Sequence, residues 1–92
     1  MIVRDATVTN ALGLHARAAA RFVRLASRYQ ARIQVGHDGQ MMDGKSIMGI
    51  LLLAASHGTV LTIAADGADA AAAVDALVTL VESGLGEAAC TD

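Results

Sequence analysis

Arg32-Ile33-Gln34-Val35-Gly36-His37-Asp38-Gly39-Gln40-Met41-Met42-Asp43 is the stretch on which the fold turns. Arg32 to His37 alternates, with Ile33 and Val35 on one side, as a strand with one buried face does. Asp38-Gly39 suits the two positive φ values of a type I′ turn, so Gln40 to Asp43 is expected to pair back as a short strand. A hairpin in the middle of the chain needs a partner layer to cover its apolar side, and the flanking segments supply helices.

Toward the N-terminus, Ala16 to Tyr29 reads as a helix. Arg17, Arg21, Arg24 and Arg28 recur at i, i+4, i+7 and i+11, a narrow basic stripe, while Ala19, Phe22, Ala26 and Tyr29 fall opposite, toward a core. Asn10 to Leu14 is a loop, and Ile2 to Thr9 is β-rich and fits one strand. Toward the C-terminus, Asp43-Gly44-Lys45-Ser46 is turn chemistry. Ser46 is the expected N-cap of a short buried helix through Ile47 to Ala55, ending near Gly58. Thr59 to Ala65 alternates as a strand with Leu61 and Ile63 on one face. Asp66-Gly67 is a turn, and Asp69 is the expected N-cap of a last helix whose apolar stripe is Val74, Leu77, Val78 and Val81. Gly84 or Gly86 ends that helix. The order β-α-β-β-α-β-α predicts an α+β layer: helices on one face of a small antiparallel sheet. One domain is expected over residues 1–87, with a frayed tail over 88–92.

Composition narrows the classes. The 92-residue chain is 54% apolar, with no Trp or Pro and a single Phe and Tyr, so alanine and aliphatic side chains must build the core. The formal net charge is -2, which gives no general attraction to nucleic acid or membrane. Stacking aromatics are nearly absent, which argues further against a nucleic-acid binder. All seven basic residues lie at or before Lys45, and after Ser46 there are six acids and no base. The single cysteine, Cys90, has no internal partner, which fits a reducing cytosol. Met1-Ile2-Val3-Arg4-Asp5 is not a signal peptide, and the apolar run Gly49 to Ala55 is far short of the ~20 residues that span a bilayer. A cytoplasmic monomer without cofactor, metal or membrane insertion is the expectation.

The chemistry concentrates at Gly13-Leu14-His15-Ala16-Arg17. His15 stands where the loop gives way to the helix, beside free backbone N–H groups and the positive end of the helix dipole, which stabilise an anion and a phosphate especially. Neutral imidazole is a usable nucleophile near neutral pH. Attack on a phosphoryl group gives a phosphoramidate, and Arg17 is close enough in sequence to add a charge-assisted hydrogen bond. The arginine stripe is by itself a solvated face. Its lack of interleaved acids leaves like charges at i,i+3 and i,i+4 unanswered, which favours an acidic docking partner. Ser46 is first a helix cap; phosphorylation there would place about -1.5 to -2 of charge beside Ile47, Met48 and Leu51 without unfolding the domain. His37 and His57 lie in or beside turns and share no ligand spacing with His15 or Cys90.

Gly13-Leu14-His15-Ala16-Arg17 and Gly44-Lys45-Ser46-Ile47-Met48-Gly49 together resemble the HPr family, the histidine-containing phosphocarriers of the bacterial phosphoenolpyruvate-dependent sugar phosphotransferase system. The likeness runs from the first strand to Gly86. It implies an open-faced β-sandwich, four antiparallel strands with three helices on one side. It implies that His15 takes a phosphoryl group through Nδ1 from phospho-enzyme I and gives it to an EIIA domain, with Arg17 assisting, as a carrier and not a stand-alone enzyme. Ser46 would be the site of an HPr kinase/phosphorylase. The first helix, with Arg21 and Arg24, and the segment holding Ile47, Met48 and Leu51 would form the docking surface. A nitrogen-type regulatory carrier, or an interaction regulator controlled through Ser46, is the alternative. Three positions depart from the family pattern: Ala18 stands where proline is usual, Leu12 replaces a polar residue often beside the histidine, and Ala16 offers no hydroxyl.

Overall fold

The computed structural model describes residues 1–87. The expected frayed tail over 88–92, and Cys90 with it, lies outside them. The element order is β1 (Ile2–Thr7), α1 (Ala16–Ala26), β2 (Arg32–His37), β3 (Gln40–Asp43), α2 (Ile47–Leu52), β4 (Val60–Asp66) and α3 (Ala70–Glu82).

The central hairpin forms as the sequence requires. His37 pairs with Gln40 across a two-residue loop, and Asp38 and Gly39 adopt φ 56° and 82°, the mirror-image turn that matches strand twist. The four strands form one antiparallel sheet in the order β1-β4-β2-β3. β4 therefore enters between β1 and β2, pairing Ala6 with Leu61 on one edge and Val35 with Ile63 on the other.

Alternation sorts the two sheet faces. Ala6, Ile33, Val35, Leu61, Ile63 and Ala65 are buried with Phe22 of α1, Ile50 of α2 and Val74, Leu77, Val78 and Val81 of α3 in one core. Phe22 is fully enclosed, and most of its α1 neighbours in this core are alanines. With so little aromatic volume, helix and sheet have to approach closely for the interior to close-pack. The opposite sheet face stays open, with Val3, Met41 and Val60 exposed.

Several expected boundaries shift, each for a local reason. β1 leaves the regular ladder after Thr7, although Val8 stays fully buried and bonds to Thr59 and Gly58. α1 ends at Ala26, before Tyr29, because Arg28 and Tyr29 donate to carbonyls three residues back and tighten the last turn. α2 ends at Leu52, and Ala54 follows at φ 52°.

One expectation is corrected. α2 is not a buried helix: Ile50 is enclosed, but Ile47, Met48 and Leu52 are 44%, 66% and 62% exposed. A helix this short turns one side to the core, and the apolar run places large residues on the outer side as well. Asp69 is the N-cap of α3, as expected, but its side chain makes no bond to that helix. Its carboxylate accepts the backbone N–H groups of Gln30 at 2.9 Å and Ala31 at 2.8 Å, tying the start of α3 to the entry of β2.

Candidate functional site

His15 is the N-cap of α1, with extended φ -70° and ψ 176° and no side-chain bond to its own helix. The first intrahelical bond runs from Ala19 N–H to the His15 carbonyl. The N–H groups of Ala16, Arg17 and Ala18 thus have no carbonyl below them, and they converge where the dipole is positive.

The approach to this end is fixed by backbone packing. Leu14 N–H bonds to the Ala55 carbonyl just after α2 at 2.9 Å. Gly13 has φ 63°, and a Cβ there would stand 2.3 Å from the same carbonyl oxygen. Only glycine permits both the left-handed turn and this approach. The end of α2 thereby holds the loop that aims His15.

Among the described residues, the imidazole is engaged on one side only. Nε2 lies 2.6 Å from Glu87 Oε2, and the two side chains are 28% and 17% exposed. Glu87 Oε1 accepts from Asn10 Nδ2 at 2.7 Å, and the same amide donates to the Gly13 carbonyl at 2.8 Å. Asn10 is buried, 4% exposed. Just before Glu87, the Leu85 carbonyl accepts from Arg21 Nη1 at 3.1 Å, and Leu85 itself is fully enclosed. The Asn10 amide, and after it the hydrogen bond with His15, hold the Glu87 carboxyl below its ordinary value; the charges of His15 and Arg21 act in the same direction. Glu87 is therefore ionised at neutral pH. Facing a carboxylate, a neutral imidazole keeps its proton on Nε2 and its lone pair on Nδ1. Nδ1 adjoins Cγ, on the ring's backbone side.

The other sequence-predicted residues fall around this point. Arg17 is the second residue of α1, is exposed, and has no carboxylate partner among the described residues. Arg21 is half-buried and turned toward the Leu85 carbonyl, while Arg24 is exposed. Arg21, Arg24 and Arg28 line, with Leu25 and Leu80, a groove of about 200 Å³ between α1 and α3. Ser46 caps α2: its Oγ accepts Gly49 N–H at 3.1 Å. Ile47 and Met48 are exposed beside it, and Leu51 is partly covered. α1 and α2 pack against each other, so one side of the molecule carries the His15 helix end and the exposed start of α2. Leu12 is 71% exposed, Ala16 is exposed, and Ala18 is enclosed in the core.

Asn10 and Glu87, which close on His15, are residues that the sequence did not announce. Glu87 stands 72 residues from His15. Leu85 between two glycines was the one signal available, a large apolar side chain in a stretch read only as the end of a helix.

Comparison with known proteins agrees with this arrangement. A family model described as "PTS HPr component phosphorylation site" matches residues 2–83. The phosphocarrier protein HPr of Cupriavidus necator is 42% identical over 87 residues, covering 95% of this chain and 98% of the relative. HPr of Xylella fastidiosa (strain Temecula1) is 45% identical over the same length, with the same coverage. The crystal structure of HPr-C-His from Thermoanaerobacter tengcongensis superposes with a TM-score of 0.91 at 43% identity, covering 96% of this chain and 99% of that one. With the β-α-β-β-α-β-α order, the one-sided helix layer and the histidine at an open helix end, the chain belongs to the HPr family of phosphocarriers of the phosphotransferase system.

Proposed function

We propose that His15 is the phosphoryl carrier residue, accepting the group on Nδ1 from phosphorylated enzyme I and passing it to EIIA domains of sugar permeases. The observation that carries this reading is the open N-terminus of α1. Three backbone N–H groups lack helical partners there, and the ring engages Glu87 through Nε2 alone. A phosphoryl group on Nδ1 meets those N–H groups and the helix dipole, and Arg17 can add a charge-assisted bond from the first turn. With alanine at position 16 and leucine at 12, neither side chain supplies a hydrogen bond, so backbone N–H groups and Arg17 carry the phosphate.

Docking falls to the surface formed by α1 and α2. Arg24 supplies exposed positive charge, and Ile47, Met48 and Leu51 supply an apolar patch that an adaptable methionine suits. Arg21 contributes charge from a fixed position. Ser46, adjoining that patch, is the regulatory site for an HPr kinase/phosphorylase: its phosphate would bring negative charge against an acidic partner while the helix end tolerates it. Incubation with enzyme I and labelled phosphoenolpyruvate tests the central claim. Acid-labile, base-stable label on the wild type and none on His15→Ala is the expected result; label retained by His15→Ala overturns it.

A further inference from the structure

The geometry points to Glu87, held by Asn10, as the positioning residue that decides which imidazole nitrogen carries the phosphoryl group. This rests on the carrier reading above and adds to it a reason for Nδ1. In free imidazole either nitrogen can bear the proton or the phosphoryl group. Here Nε2 is covered at 2.6 Å by a carboxylate that can only accept, so it must be the protonated nitrogen.

The carboxylate is itself held. One Asn10 NH₂ group donates to both Glu87 Oε1 and the Gly13 carbonyl. A flipped amide would set its oxygen against two acceptors, so the orientation is fixed although Asn10 Oδ1 is buried with no partner among the described residues. From α1, Arg21 donates to the Leu85 carbonyl, two residues before that carboxylate. Arg21 adds positive charge near Glu87, and the Asn10 loop adds only a neutral donor. The clamp thus joins the Asn10 loop, α1 and the segment after α3 around one ring edge.

The step balances without any proton moving on the ring. The Nδ1 lone pair forms the N–P bond while the donor's bond to phosphorus breaks, its electron pair leaving with the donor group. The product ring holds phosphorus on Nδ1 and hydrogen on Nε2 and is a cation, with Glu87 as its counter-charge. In onward transfer the N–P electron pair returns to Nδ1, and neutral imidazole with Nε2–H is restored. Glu87 touches the ring and not the phosphoryl group, so it positions rather than reacts.

Potassium phosphoramidate tests this without any docking partner. Wild type, Glu87→Ala, Glu87→Gln and Asn10→Ala are labelled with it, and the phosphohistidine isomers are separated by ³¹P and long-range ¹H–¹⁵N NMR, which also reads the tautomer before labelling. The wild type should be an Nε2–H tautomer and give Nδ1-phosphohistidine alone. Both Glu87 variants should show mixed tautomers, form Nε2-phosphohistidine and label more slowly. A misplaced tautomer in a fully buried His–Asp pair costs ~10⁴ in rate, and this half-open pair should cost about tenfold. Asn10→Ala should show the same defects more weakly. Unchanged tautomer and regiochemistry in both Glu87 variants overturns the role of Glu87, even if labelling slows, because slowing alone marks a structural loss. Failure of His15 to take label at all overturns the carrier reading instead.

Discussion

Two helix starts in this molecule look alike in sequence and end up chemically opposite. His15 and Ser46 both occupy N-cap positions with extended backbone, ahead of α1 and α2. Ser46 folds its hydroxyl back onto Gly49 N–H and closes its helix end. His15 turns away to Glu87 and leaves its helix end open. A capped end is a stabilising device; an uncapped end beside an imidazole leaves backbone donors free to meet a group the protein does not permanently hold. The difference comes from side-chain reach. A serine hydroxyl is short enough to bond within its own turn, whereas an imidazole ring is not shaped for that and finds a partner across the fold.

The comparison can be broken most sharply at His15. Replacing it by alanine should abolish phosphoryl acceptance and cost no more stability than the lost Glu87 hydrogen bond, since no cap bond is lost; a much larger fall in Tm would mean that this end is structural after all. Next in size is Arg17→Ala, which removes a cation from the open end. A hydrogen bond to a charged group is worth about 1.5–3 kcal/mol, so phosphoryl acceptance should slow about ten- to hundredfold with stability unchanged. Single-turnover rates with phosphorylated enzyme I would read it.

At the other helix start the expectation reverses. Ser46→Ala should cost about 1 kcal/mol of stability, or about 4–8 °C in Tm for a domain of this size, while phosphohistidine formation stays intact. Unchanged Tm would show that the Gly49 bond contributes nothing.

The smallest effect is with pH. Glu87 is held below its ordinary carboxylate value of 4.5 by Asn10 and then His15, and Asp69 below 3.8 chiefly by Gln30 N–H. A depressed folded-state value means fewer protons bound in the folded chain, so this stability is present above the ordinary values and is lost as pH falls through the folded ones. Denaturant titrations stepped downward from pH 4.5 should show a progressive loss that Glu87→Gln makes shallower. An identical slope in that variant would remove Glu87 from the account.

Much of this was legible from residue order. Asp38-Gly39 fixed the hairpin because few dipeptides accept two positive φ values. Phe22, Leu61, Ile63 and Leu77 were readable as core from their periods alone, and His15, Arg17 and Ser46 from their places at helix starts. α2 was misread because a continuous apolar run carries no periodicity to mark an outer face, so its exposed Met48 and Leu52 looked like core. Asp69 was read rightly as the N-cap of α3, but its carboxylate's partners were not legible, because a cap rule sees only the helix that follows, and backbone donors from the start of β2 were better placed.

By itself, then, the sequence determined the elements, the hairpin, the one-sided core and the placing of a histidine at a helix end, since each depends on neighbours within a few residues. Only the tertiary structure decided that β4 enters between β1 and β2, that Gly13 packs on the Ala55 carbonyl, and that Asn10 and Glu87 close on one edge of the His15 ring. Those are contacts between distant parts of the chain. Their partners are chosen by packing and by the need to pair buried polar groups, neither of which leaves a mark in local sequence.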